Sequence, residues 1–258
     1  MKRFFIFLVF LFFSIGAFAL DHSGTIGTET WYKTDNPHII TGNLTIPIDV
    51  TLTIEAGCII KFKSNKRMII HGVLKAIGTQ SEMITFTSSL VTPSAGDWGA
   101  IEFNGGQDGA VIDYCNIEYG GKDYNWFDVD NASIRIINSS EPPVISHCVI
   151  NISAGSGINI GRNQNQEQLA YISDCEITNC AYYPIYTFNP NTCSLISGTM
   201  SFSGNEYDAI HMGGGHITLS GTWHNTGVPF VIEEIVKIDS LYLIAGCFIA
   251  SKSVLVFL

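Results

Sequence analysis

Residues 111–202 spell one pattern four times. The segments VIDYCNI, VISHCVI, YISDCEI and a degraded LISGTMSF align on Ile112, Ile145, Ile172 and Ile196, at intervals of 33, 27 and 24 residues. A second motif runs in phase with the first: AIEF, SIRI, GINI, PIYT and AIHM, centred on Ile101, Ile134, Ile158, Ile185 and Ile210. Two interleaved strand motifs that share one drifting period of about 25 residues mark a solenoid, in which each unit buries its apolar face only against its neighbours. The units alternate apolar and polar residues between Gly and Asn punctuation and carry no helical periodicity. The expected fold is therefore all-β: a right-handed parallel β-helix of about nine coils, with Ile and Cys ladders inside.

The first 19 residues read as an export signal. Lys2 and Arg3 precede the apolar run Phe4 to Phe13, and Ala17-Phe18-Ala19 is a small-x-small cleavage site. That run is too short to span a bilayer as a helix. No Cys follows it, which argues against a lipid anchor. The expected mature chain begins near Leu20, outside the cytoplasm, with no membrane span. A formal charge of −10 with 13 Lys and Arg excludes the basic footprint that nucleic acid requires.

Seven cysteines in an exported chain invite a disulfide reading, yet their phase argues against it. Cys115, Cys148 and Cys175 hold one equivalent position in successive repeats. Coils lie about 4.8 Å apart, so these side chains should stack inward as a column of buried thiols with parallel vectors ill suited to bridging. Cys180 and Cys193 lie outside the column and are free to pair with each other.

Upstream, Leu44-Thr-Ile46, Leu52-Thr-Ile54, Ile60-Lys-Phe62, Leu74-Lys-Ala76 and Ile84-Thr-Phe86 alternate as half-buried strands do. Gly42, Gly57, Gly72 and Gly78 interrupt them, where positive φ is expected at turns. No Pro-rich or charged linker intervenes, so residues 20–218 read as one β-helix. At the far end the opening module recurs. Trp31, Pro37-His-Ile-Ile40 and Leu44-Thr-Ile46 reappear 192 residues later as Trp223, Pro229-Phe-Val-Ile232 and Val236-Lys-Ile238. Residues 219–258 are thus expected to start a second copy of that module, cut short relative to a longer parent.

The strings NLTIPIDVTLTIEAGCIIKF, HGVLKAIGT, ITFTSS and GDWGAIEF, within Trp31 to Phe103, resemble the opening of secreted bacterial right-handed parallel β-helix proteins of the pectin-lyase-like superfamily. The resemblance covers essentially the whole mature chain and is specific for fold rather than chemistry. It implies a secreted or cell-surface protein, either an adhesin-like scaffold or a polysaccharide lyase or hydrolase. Enzymes of the superfamily that cleave galacturonan carry a paired Asp, a Gly-His-Gly turn and an Arg-x-Lys segment. Here no Asp-Asp pair occurs, His216 is followed by Ile217, and Ser133-Ile-Arg135-Ile-Ile lacks the lysine. Arg135 and Arg162 stand in no lyase-like motif.

Two features remain as candidate sites. The polar position inside the second strand motif places Glu102, Arg135, Asn159, Tyr186 and His211 in one outward, exposed column, with Glu102 beside Arg135 and Tyr186 beside His211. Such a column is either a solvated sheet face, where an ion pair contributes at most about 1 kcal/mol, or the wall of a ligand groove. The longest excursion between coils, residues 120–130, gathers Tyr124, Trp126 and Phe127 among Asp123, Asp128 and Asp130. Its aromatics suit stacking on sugar rings and its carboxylates suit calcium; equally, the loop could fold onto the helix flank with its acids solvated. The expected function is a non-catalytic secreted or surface scaffold, adhesive or carbohydrate-binding. The alternative is a polysaccharide-active enzyme working along the Glu102-to-His211 column.

Overall fold

The structure, a computed structural model, describes residues 19–105, 107–122, 131–137, 139, 141–161, 168–218, 222–232, 236–238, 249–251 and 255–257. Its strands wind into three parallel faces of a right-handed β-helix. On one face, Val111–Asp113, Val144–Ser146, Tyr171–Ser173 and Ile196–Ser197 stack in register, Ile112 opposite Ile145, Ile145 opposite Ile172 and Ile172 opposite Ile196. Short strands such as Cys115–Glu118, Val149–Asn151 and Glu176–Thr178 form the second. The third carries Ile101–Phe103, Ala132–Ile136, Ser156–Ile160, Ile185–Thr187 and Ile210–Met212, again in the register of the repeats. The long strand His38–Ile46 bends from the second face to the third, pairing with Ile59–Phe62 through residues 38–40 and with Met68–Ile70 through 44–46. Among the described residues no helix is long and apolar enough to cross a membrane.

Inside, every coil contributes large apolar side chains to a continuous core. Ile112, Ile145, Ile172 and Ile196 are buried, as are Ile101, Ile134, Ile158, Ile185 and Ile210. Trp98 caps Phe62 face to face, with ring centroids 4.2 Å apart, and donates its indole N–H to the Glu118 carbonyl at 2.9 Å. The thiol column also stands. Cys115, Cys148 and Cys175 are buried and unbridged, each Sγ turned towards the carbonyl two residues earlier. Register extends the column to Cys58 on one side, through Ile84, and to Met200 on the other. The pairing open to Cys180 and Cys193 does not form. Cys180 points to the Thr178 carbonyl in its own corner, while Cys193 Sγ rests 3.3 Å from Met212 Sδ.

The corners depart from what the glycines predict. Of Gly42, Gly57, Gly72 and Gly78, only Gly57 has positive φ, at 76°. Gly42 lies within His38–Ile46. Gly72 is there for close approach: a Cβ would stand 2.2 Å from the Pro47 carbonyl oxygen. The left-handed positions belong mostly to larger residues. Tyr114, His147 and Asp174 turn the chain before each column cysteine, at φ of 48°, 48° and 53°; Tyr119, Ile152 and Asn179 turn it after the next strand, at 64°, 55° and 55°. Register with the packed strands on either side over-determines these conformations, which are otherwise costly for side chains bearing a Cβ.

At the far end Phe230–Ile232 stacks on Ile210–Met212, and Val236–Ile238 pairs with Gly215–Ile217. Trp223 lies on Phe230 with centroids 5.5 Å apart, the counterpart seven residues apart of Trp31 on His38 at 5.0 Å.

Candidate functional site

In Ile101–Phe103 and its stacked partners the apolar residues point inward, so the residue between them must point out. Arg135 accordingly lies opposite Glu102, Asn159 opposite Arg135, Tyr186 opposite Asn159 and His211 opposite Tyr186. The structure thus brings all five residues of the column together. It does not expose them. Glu102, Arg135, Asn159, Tyr186 and His211 retain 3, 5, 1, 7 and 2% of their accessible surface, against the expectation of a solvated face. The cause lies in the turns that lead into and out of these strands. Arg67 reaches over Glu102, its Nη1 3.1 Å from Oε2, and Asn104 donates to Oε1 at 3.3 Å. At the other end Tyr183 and Phe188 crowd the Tyr186–His211 pair, each with a centroid separation of 5.0 Å.

Two kinds of chemistry divide the column. At one end a single carboxylate is held between two guanidiniums, Arg67 at 3.1 Å and Arg135 at 3.4 Å. Both of its oxygens are engaged, Oε2 by the arginines and Oε1 by Asn104. At the other end the rings of Tyr186 and His211 are stacked almost parallel, with centroids 3.8 Å apart and an interplanar angle of 4°.

This aromatic group opens to solvent through Tyr207. Its ring lies on Tyr183 at 4.5 Å and 19°, meets the edge of Tyr182 at 5.7 Å, and stays 42% exposed. The turn that carries it is tied to the coil beneath. Asn205 donates to the Ile177 carbonyl at 2.9 Å and to Asp208 Oδ1 at 2.7 Å, and its own Oδ1 accepts from the Cys180 amide at 2.9 Å. A tyrosine face fixed in this way is preorganised for stacking against a flat apolar surface such as the underside of a sugar ring. Tyr182 and Tyr207 fall outside the two strand motifs, yet the sequence carries a signal for them. Each stands three residues before a strand isoleucine, Ile185 and Ile210, and so in phase one repeat apart.

Tyr124, Trp126, Asp123, Asp128 and Asp130 lie outside the described residues. Among the described residues no three His, Cys, Asp or Glu side chains are gathered so that they could hold a metal ion. An open hollow of about 520 Å³ occurs towards the first coils, lined by Thr25, Thr45, Pro47, Ile48 and His71.

Residues 24–134 match the family model described as a pectate-lyase like beta helix domain. That match supports a pectin-lyase-like β-helix protein, and the parallel sheets continue beyond the matched residues. Comparison with curated proteins and with solved structures found no match. The tyrosine platform falls C-terminal to the matched residues.

Proposed function

We propose that this protein is an exported, non-catalytic β-helix scaffold that binds glycan, with Tyr207 and Tyr182 as the stacking surface. The observation that carries the reading is the Tyr207 ring, bared on its outer face and braced from behind by Tyr183. A fold used for polysaccharide work and an N-terminal export signal fit the same reading. The Glu102 carboxylate weighs against an enzyme in this column, because a group locked between Arg67 and Arg135 is poorly placed to shuttle protons.

Affinity electrophoresis through gels cast with neutral and acidic polysaccharides tests binding. Retention of the wild-type protein that weakens about tenfold in Tyr207→Ala, as loss of 1–1.5 kcal/mol of stacking implies, supports the reading. Incubation with acidic polysaccharides, with and without calcium, tests catalysis. Release of unsaturated or reducing ends that is lost in Arg135→Ala or His211→Ala would overturn the scaffold in favour of an enzyme.

A further inference from the structure

The first strand, Leu20–Thr25, lies parallel to His38–Ile46, with Leu20 opposite His38 and Thr25 opposite Thr45. It is an outlying strand whose side chains are exposed, with one exception. His22 is half-buried. Its ring lies on Trp31 at 4.0 Å, and Trp31 lies on buried His38 at 5.0 Å and 8°. His22 Nε2 is 3.0 Å from His38 Nδ1, and His38 Nε2 is 3.0 Å from the Tyr32 carbonyl oxygen. The side chain of this strand that packs into the body is therefore an imidazole bonded to an imidazole. At the register break between His22 and Gly24, Thr41 Oγ1 also donates to the His22 carbonyl at 3.2 Å.

Donor arithmetic fixes what this pair tolerates. A carbonyl only accepts, so His38 Nε2 carries a hydrogen. In the neutral pair His38 Nδ1 then accepts from His22 Nε2–H. One added proton leaves an N–H···N bond intact, whichever ring takes it. A second puts N–H against N–H at 3.0 Å, with the two cationic rings 5.2 Å apart.

We propose that the His22–His38 pair is an acid-released latch, holding Leu20–Thr25 on the sheet until both rings are protonated. The second copy of the module shows that the stack itself does not need nitrogen: Phe230 takes the place of His38 and packs buried on Trp223. Titration of the latch has a definite sign. Burial, then the charge of His38, hold His22 down from its ordinary 6.5 to about 4, while Glu29 on the next strand and Asp21 on its own pull the other way. Docking thus favours the neutral ring. Its contribution is complete above pH 6.5 and fades as pH falls towards 4. The bared edge of His38–Ile46 would then offer unpaired backbone groups.

Amide hydrogen exchange of the full chain, expressed as protection at pH 7, 5.5 and 4, tests the latch. Linkage allows up to about tenfold per pH unit, which the half-exposed ring realises only in part, so protection of residues 20–25 should fall at least about tenfold from pH 7 to 4. Protection of Ala132–Ile136 should hold. In His38→Phe the fall at residues 20–25 should shrink, leaving the part that burial of His22 alone sets. Wild type and His38→Phe losing protection in parallel would overturn the latch and assign the effect to burial of His22 alone or to Asp21 and Glu29. A wild-type strand unaffected by acid would overturn it too. Should His38→Phe not fold, NMR titration of the His22 ring in the wild type decides: a midpoint well below 6.5 supports the latch, and one near 6.5 refutes it.

Discussion

Arg135 reaches across one coil spacing to Glu102, Nη1 to Oε2 at 3.4 Å, and both side chains are almost sealed from water. Sealing changes the energetics of the pair. A solvated ion pair on a sheet contributes at most about 1 kcal/mol, whereas removing one partner of a buried pair costs about 3–5 kcal/mol, because the remaining charge is stranded. The loss should be lopsided here. Glu102→Gln takes the carboxylate charge from both Arg135 and Arg67, while Arg135→Met leaves Glu102 still bonded to Arg67 and Asn104. Urea unfolding should therefore show Glu102→Gln losing about 3 kcal/mol and Arg135→Met clearly less. Equal losses, or the reverse order, would mean that Arg67 contributes nothing to holding the carboxylate.

The thiol column predicts inertness. Burial pushes Cys148 well above the ordinary thiol range; Cys175 is raised first by its contact with Cys148 and then by burial. Burial also lifts Cys58 to about 11 and Cys180 to about 12. Thiolate is the reactive form, so an aromatic disulfide reagent at pH 8 should label these four only after urea is added, as peptide mapping would show. Cys148→Asp, which puts an unpaired charge between two thiols in the core, should cost several kcal/mol. A folded Cys148→Asp protein that melts with the wild type would place this position outside the core.

Ile152 holds a left-handed corner, φ 55°, that β-branched residues rarely adopt. The equivalent corner one coil later is Asn179, whose amide donates to Asn151 Oδ1 at 2.9 Å. Asn tolerates this conformation far better, so Ile152→Asn should gain about 1 kcal/mol and raise the melting temperature by about 2–4 °C. A lower melting temperature would show that contacts of the Ile152 side chain outweigh the backbone strain.

These corners also show where the sequence was readable. Strand register depends on alternation and period, both local properties, and the ladders from Ile112 to Ile196 and from Ile101 to Ile210 stand as the repeats place them. Left-handed corners at Tyr114, His147 and Ile152 could not be read from residue type, because packed strands on either side impose them. The covering of Glu102 and His211 was equally hidden. It comes from Arg67 over Glu102 and Tyr183 over His211, residues in turns whose lengths follow no period. Tyr207 was legible in principle, since it repeats the phase of Tyr182, but a lone aromatic before a strand also suits core packing.

The tyrosine platform separates binding from stability by a contrast between two stacked rings. Tyr183 is the inner one, 2% exposed and pressed against His211, so Tyr183→Ala should open a cavity and cost about 3–5 kcal/mol, as truncation of other buried aromatics does. Tyr207 is the outer one, and its turn is held by Asn205 rather than by its own ring. Tyr207→Ala should leave the melting temperature within about 2 °C of wild type, in keeping with an exposed position, while glycan retention falls. Tyr207→Phe should keep retention near the wild-type level, because the apolar face is preserved and only the hydroxyl is lost. If Tyr207→Ala instead melts early with retention unchanged, the ring is a cover for Tyr183 and not a stacking surface.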